Sequence, residues 1–334
     1  MENIKVLITG GGGFIGSNMI KFLKEKGYYV RVVDKAFRKE RQELYNLADE
    51  LIYLDLRDLR SCILACSGMN YVFHFASDMG GVGYFHAHDY EPFINNMTMD
   101  MNILQAASAT GIARLFYSSS ACIYPIHLQM EEGKAVRFSE DMIYPANSDQ
   151  MYGWEKLMMT RLCERAPLDA RVGIFHTIFG PYQETEGERM KFPTAIATKV
   201  LQAKEDDKPV EIWGNGNQLR SFCYIDDAIE KIYRVMMSST YKGPVNIASD
   251  EVVSILDVAR LCCDIVGIHP NFVFTNEKPS GVLARNADNT LFEKTYNYKN
   301  QISTKEGFER LIKWIQSYSR VVKHDNFIIG NDSN

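Results

Sequence analysis

Apolar runs and amphipathic stretches alternate along the first half of the chain. Runs bounded by glycine or polar residues predict strands at Ile4–Thr9, Tyr29–Val33, Leu51–Leu54, Tyr71–Phe75, Arg114–Ser118 and Val172–Ile178. The first of these is apolar at consecutive positions, the pattern of a strand covered on both faces. Helical spacing fills the intervals, from Gly16 to about Lys26, at Pro92–Thr110 and at Met151–Arg165. Such alternation predicts an α/β fold with a doubly wound parallel sheet. Beyond Phe179 the rhythm becomes irregular, with helical segments at Thr194–Lys204, Asp226–Met237 and Ser254–Val266. The 334 residues exceed the size at which a single core usually stops growing.

Glycines follow the first strand. Gly10 to Gly16, with Gly13, Phe14 and Ile15 between, satisfies G-x-G-x-x-G spacing from Gly11 and opens a helix. A glycine cluster alone is also a plain tight turn. Here a strand precedes it, a helix follows, and the second strand ends in Asp34, placed to bind adenosine ribose hydroxyls. This context predicts a Rossmann-type fold binding a dinucleotide, and Asp34 favours NAD because a carboxylate repels the extra phosphate of NADP. Asp55, with Leu56 beside it, is placed to meet the adenine edge, or else Asp55 caps a helix. The expected division is an NAD-binding domain over residues 1–180 and a smaller α/β substrate domain over 181–322. Some segments of the second return to the first, and residues 323–334 form a flexible tail.

The fifth strand enters FYSSSACIYP, which turns from apolar to small and polar. Ligands in open parallel sheets bind outside the carboxyl ends of strands, so Ser119, Ser120 and Cys122 should line a pocket. Tyr152 and Lys156, four apart, share one helix face. A free tyrosine near pKa ~10 is a poor base at neutral pH. A lysine ammonium and an oxidised nicotinamide both favour its phenolate, so Tyr152 can take a proton from a sugar hydroxyl that Ser120 holds. Cys122, two positions beyond Ser120, lies on the same face if the strand continues, and a thiol near pKa ~8.5 suits proton transfer beside a carbonyl. A buried packing cysteine is the plain alternative. An inversion needs a second group on the opposite face, and Lys191 is the candidate. The stretch from Ala76 to Gly83, including Gly81, could cross close to cofactor and substrate, or be a surface loop. Gln183 to Met190 is a loop able to fold over a ligand. Arg220, Arg285 and Lys199 could grip a diphosphate, or be surface charge.

The net charge of −5 argues against nucleic acid as the main partner. The N-terminus lacks signal-peptide character, and no apolar run approaches a membrane span. Seven scattered cysteines lack the partners of a zinc site, so we expect no metal, free thiols and a cytoplasmic location.

Thr9–Gly16, Ser118–Ser120 and the Tyr152/Lys156 pair together resemble the extended short-chain dehydrogenase/reductase family of nucleotide-sugar enzymes. SDMGGVGY, SSSACIYP, MYGWEK, FHTIFGP, RMKFPTAIATK, WGNGNQLRSFCYIDD and GVLARNADN are similar to its GDP-mannose 3,5-epimerase branch, from about Lys5 to Trp314. The resemblance implies Cys122 and Lys191 as the acid/base pair, Tyr152 and Lys156 for the redox step, and Lys199, Gln218, Arg220 and Arg285 as substrate ligands. It also implies a GDP-sugar substrate and a homodimer. Methionine-rich faces with Met97, Met101, Met158 and Met159 suggest that two helices per copy pair as a four-helix bundle. Thr177 departs from the family's asparagine at a substrate-contacting position, and Met190 from its glutamate before the lysine, so a GDP-manno-heptose is an alternative substrate. The competing readings are a 4-epimerase, in which Cys122 would be idle, a 4,6-dehydratase, against which Ala121–Cys122 argues, and a non-catalytic NAD-binding regulator.

Overall fold

The computed structural model describes residues 4–130, 136–269, 271–277 and 281–329. The strands in chain order are β1 (Lys5–Thr9), β2 (Tyr29–Asp34), β3 (Glu50–Tyr53), β4 (Tyr71–His74), β5 (Arg114–Ser120), β6 (Arg137–Phe138), β7 (Asp169–Phe175), β8 (Thr177–Phe179), β9 (Val210–Trp213), β10 (Leu219–Tyr224), β11 (Val245–Ile247), β12 (Val252–Ser254), β13 (Phe272–Thr275) and β14 (Ala284–Ala287). Seven of them form a parallel sheet in the order β11-β7-β5-β4-β1-β2-β3. The run in β1 is apolar throughout because both faces are covered. Val6 and Ile8 pack with Met19, Ile20 and Leu23 of the helix Phe14–Glu25. Leu7 packs on the other face with Cys62, Cys66, Ile103 and Met159.

A second sheet runs β12-β10-β14-β6, with β8 on β10, and β9 pairs β13 alone. The boundary near residue 180 is crossed both ways. β11 joins the principal sheet, while β6 joins the second.

Two expectations change. The single strand over Val172–Ile178 is two strands. At His176 the chain leaves β7 and pairs with β10 instead, Thr177 opposite Phe222. His176 itself is held between them, its N–H donating to the Ile247 carbonyl and its ring bonded to Asn246. A continuous apolar run cannot show that turn, because both halves are buried. The tail boundary at 322 falls inside the helix Thr304–Ile329, which meets no glycine or proline after Gly307 until Gly330. Residues 330–334 lie outside the described part.

At Gly16 the helix Phe14–Glu25 runs against the glycine turn. A Cβ there would come 2.4 Å from the Gly10 carbonyl oxygen and 2.7 Å from Gly11 Cα, both backbone atoms. Gly16→Ala should therefore cost ~1–3 kcal/mol, the usual price of overpacking. Thermal denaturation should show a midpoint lower by several degrees. An unchanged midpoint would mean that the turn can shift freely.

Candidate active site

The site is built where the carboxyl ends of β1, β2, β4 and β5 meet the two loops beyond them. The Gly10–Gly16 turn delivers the chain into the helix Phe14–Glu25, whose N-cap, Gly13, offers no side-chain cap. Its first-turn N–H groups and dipole therefore favour an anion. A Cβ at Gly12 would meet the Ala36 carbonyl oxygen at 2.0 Å, so the turn admits no side chain there. Asp34 at the end of β2 accepts from the Gly12 N–H at 2.9 Å and the Ala36 N–H at 3.1 Å. Burial pushes its carboxyl upward against those bonds. Arg38 is drawn to Glu184, 3.6 Å away, and Glu40, 3.8 Å away.

A cavity of about 430 Å³ is lined by Gly10, Gly13, Phe14, Ile15, Gly16 and Asp34 at one end and by Ser118, Ser119, Ser120, Tyr152, Lys156 and Lys191 at the other. The Ser77 hydroxyl also borders it, buried and without a hydrogen-bond partner among the described residues. An uncapped helix end, a side-chain-free turn and a partly buried carboxylate at the end of β2 fit NAD. Its pyrophosphate would lie on the helix end and its adenosine ribose at Asp34. Asp55 and Leu56 are not in this lining. Asp55 is bound by Arg57 at 2.6 Å, and Leu56 is buried in the core beneath.

A second cavity of about 300 Å³ shares Ser120, Tyr152, Phe175, His176 and Lys191 with the first. It adds Gly81, Cys122, Thr177, Met190, Gln218, Arg220 and Arg285. Cys122 arrives there by a different route from the one expected. β5 ends at Ser120, whose hydroxyl accepts from the Cys122 N–H at 3.2 Å and caps a turn over Ala121–Ile123. The two-residue period of a strand thus does not place Cys122, but the turn does. Ser119 turns its hydroxyl to Thr160, 2.8 Å away.

Arg285 donates to Cys122 Sγ at 3.0 Å and to Asp149 at 2.5 Å. Among the described residues Arg220 has only carbonyl hydrogen-bond partners, Leu219 at 2.8 Å and Val282 at 2.7 Å. Burial, with Arg285 beside it, pushes Arg220 down to about 9, so it stays charged at neutral pH in a cavity short of anions. A bound phosphate would relieve that imbalance. The Gln218 side-chain oxygen is buried there without a partner among the described residues. Lys199 is the exception. Its ammonium is held by Glu211 at 2.8 Å and lies over the Trp213 ring, so Trp213 rather than Lys199 reaches the cavity.

Tyr152 is buried, its ring stacked on Phe85 at 4.5 Å. Burial pushes its phenol up, and the Lys156 charge acts against that without overcoming it. The lysine alone therefore does not produce the phenolate that the sequence suggested. Lys156 Nζ lies 3.2 Å from the Tyr117 hydroxyl, 3.3 Å from Glu155 and 3.7 Å from Asp100. Burial opposes its charge, but Asp100 and Glu155 hold it above the ordinary lysine range. Burial lowers Lys191, with Glu184 and Cys122 opposing.

Sequence reasoning missed Arg189, which ties the two loops together. It pairs with Asp78 at 2.7 Å and donates to the Met79 carbonyl and the Tyr84 hydroxyl, each at 2.8 Å. It also missed His176, Asp100, Glu155 and Asp149. Asp100 and Glu155 had a readable signal, since each carboxylate falls on the buried face of an otherwise packed helix. Among the described residues no cluster of metal-ligating side chains occurs, and no helix is long and apolar enough to cross a membrane.

A model of the NAD dependent epimerase/dehydratase family matches residues 6–248. The chain belongs to that family. Among curated proteins it is 36% identical over 325 residues to GDP-mannose 3,5-epimerase of Arabidopsis thaliana, spanning 94% of this chain and 83% of the relative. It is 26% identical to GDP-L-colitose synthase of Yersinia pseudotuberculosis, spanning 93% and 97%. UDP-glucose 4-epimerase of Thermotoga maritima superposes with a TM-score of 0.83 at 21% identity, over 94% of this chain and 99% of that one. dTDP-glucose 4,6-dehydratase of Streptomyces venezuelae, solved with NAD, gives 0.81 at 20%, over 94% and 97%. These two structures share the epimerase/dehydratase fold. NAD is the family's cofactor, and the first cavity fits it.

His176 yields a stability test. Burial pushes it down to about 4, whereas an unfolded histidine titrates near ~6.5. Between those values the unfolded chain binds a proton that the folded chain does not. Its contribution is thus present above pH ~6.5 and lost as pH falls through about 4, up to about 3 kcal/mol. Urea denaturation across this window should show a shallower pH dependence in His176→Asn. An unchanged slope would exclude His176 as the titrating group.

Proposed function

We propose that the chain epimerises a GDP-activated manno-sugar at C3 and C5 through transient oxidation at C4. The observation that carries this is the meeting of two cavities at Tyr152 and Ser120, with Cys122 and Lys191 in the wall of the second. The relationship to the Arabidopsis enzyme supports GDP-mannose as the substrate. In this reading residues 1–180 mainly hold NAD and residues 181–322 mainly hold the sugar nucleotide.

NAD+, held by the glycine turn and Asp34, would supply a hydride acceptor and a positive charge to the cavity that Tyr152 lines. Ser120 orients the 4-hydroxyl, and Tyr152 takes its proton, the neighbouring charges offsetting what burial costs the phenolate. The resulting 4-ketone acidifies C3–H and C5–H. Inversion needs an acid and a base on opposite ring faces. Cys122 and Lys191 come from different walls, one from the turn after β5 and the other from the N-cap of the helix Phe192–Asp206. Arg285 supplies a counter-charge to the Cys122 thiolate, and the depressed Lys191 is more often a neutral amine than a free lysine. Arg220 and Arg285 would take the diphosphate. Tyr152 would return its proton when the ketone is reduced again, so a full turnover carries no net redox change. Seven free cysteines support a reducing cytoplasmic setting.

A second copy of this chain completes the proposed assembly. The helices Tyr90–Ala109 and Gln150–Arg165 lie side by side and expose Ile94, Met101, Met151, Trp154, Met158 and Leu162. Met159 is instead buried in the chain's own core, and Met97 packs half-buried against it, so neither belongs to the outward face. A four-helix contact between copies would cover this surface. Light scattering should give a dimer mass at micromolar concentration, shifting to monomer in Met101→Glu/Met158→Glu. A monomeric wild type would refute it.

The chemistry separates by residue. Tyr152→Phe should abolish all turnover of GDP-mannose. Cys122→Ala and Lys191→Ala should retain oxidation at C4 but lose epimerisation by ~10²–10⁴-fold. In deuterated water the wild type should incorporate deuterium at both C3 and C5. Wild-type epimerisation by Cys122→Ala would reduce the cysteine to a packing residue and remove the main support for this mechanism.

A further inference from the structure

Beneath Lys156, away from both cavities, lies a closed polar cluster. Glu155 is 0% exposed, Asp100 1%, Tyr117 1%, His74 1% and Lys156 2%. His74 Nε2 meets Asp100 Oδ1 at 2.9 Å, and His74 Nδ1 meets the Thr9 hydroxyl at 2.6 Å. The Tyr117 hydroxyl lies 2.9 Å from Asp100 Oδ2 and 3.1 Å from Glu155 Oε1. Asn96 donates to Glu155 Oε2 at 3.3 Å.

The protons within hydrogen-bond reach do not suffice. Lys156 donates to the Tyr117 oxygen at 3.2 Å, and the single hydroxyl proton of Tyr117 can serve only one of the two carboxylates it lies against. The other carboxylate faces the same oxygen with no proton between them, in an almost fully buried cluster. A surplus buried charge is costly, so one carboxyl retains a proton. We propose that the Asp100–Glu155 pair holds one exchangeable proton under Lys156, making Glu155 a positioning residue that sets the readiness of Tyr152 to accept the substrate proton. This rests on the redox role given to Tyr152 above.

Glu155 is the better holder of that proton. Burial pushes it up to about 8, Lys156 acting against this and Asp100 with it. Burial acts upward on Asp100 as well, but Lys156 and His74 hold it well below the usual range. The groups facing the pair are His74 from β4, Tyr117 from β5, Asn96 from the helix Tyr90–Ala109, and Tyr152, Lys156 and Cys163 from the helix Gln150–Arg165. Asp78, beyond β4, is committed to Arg189. When Glu155 ionises, its proton leaves to solvent and a negative charge remains 3.3 Å from Lys156 Nζ. Lys156 is then neutralised as a partner for Tyr152, and phenolate formation becomes harder. Oxidation at C4 should therefore slow as pH rises through that ionisation.

The experiment uses the NAD-loaded enzyme and GDP-mannose, reading single-turnover nicotinamide reduction by near-ultraviolet absorbance from pH 6 to 10. Wild type should lose about tenfold or more on the alkaline side. Glu155→Gln, which keeps the shape and cannot ionise, should lack that limb, and Glu155→Asp should restore one. Infrared spectra of the protein without substrate should show a protonated-carboxyl band that disappears on raising the pH through about 8 and is missing in Glu155→Gln. Should Glu155→Gln not fold, the wild-type infrared titration decides. A band titrating near 8 that persists in Glu140→Gln, whose carboxyl burial also raises, to about 7, supports the inference, and its absence overturns it. A wild-type alkaline limb persisting in Glu155→Gln also overturns it. If Tyr152→Phe still reduces nicotinamide, the Tyr152 reading fails instead.

Discussion

A lysine ammonium shut away from water is the constraint on which the site depends. Lys156 stays charged beside Tyr152, yet it is almost fully buried. Nearby carboxylates hold such a charge. Glu155 supplies one from the lysine's own helix and Asp100 the other from the helix beside it, and Tyr117 and His74 tie those helices to β5 and β4. The inner surface of the helix layer is therefore not a simple apolar face, and the catalytic end of the sheet is braced by hydrogen bonds as well as packing.

The second cavity meets the opposite problem. Arg220, Arg285 and Lys191 face it, and Asp149 is already engaged by Arg285. In the proposed reading an anionic substrate would complete this set, and Cys122 lies within reach of the same guanidinium. Thr177 and Met190 border the same space, where the proposed reading places the sugar. The Met190 backbone is pressed close to Gly81, since a Cβ on that glycine would come 2.7 Å from the Met190 carbonyl oxygen.

Much of this was legible from local pattern. The strands of the principal sheet, the glycine turn, Asp34 and the Tyr152/Lys156 pair are written in short-range spacing, and local backbone geometry realises them. Long-range pairing was harder. Lys199 looks like a phosphate ligand in isolation, but Glu211, on another element, holds its ammonium. Asp55 is taken by Arg57, two residues away, although nothing in the spacing distinguishes that from an adenine contact. The break at His176 depends on Asn246 and Ile247, some seventy residues later. Cys122 was placed correctly for an incorrect local reason, because a Ser120-capped turn replaced the strand. Asp100 and Glu155 were visible in principle, as carboxylates at helical spacing from buried neighbours.

The linings of the two cavities have different positions along the chain. The first draws on residues from Gly10 to Lys191, whereas the second extends to Arg285. During synthesis, then, the ribosome releases every wall residue of the cofactor chamber almost a hundred residues before Arg285 emerges to meet Cys122. For that interval the nascent polypeptide holds the parts for gripping a nucleotide but lacks those that pair with the thiol. Cys122 acquires its guanidinium partner late.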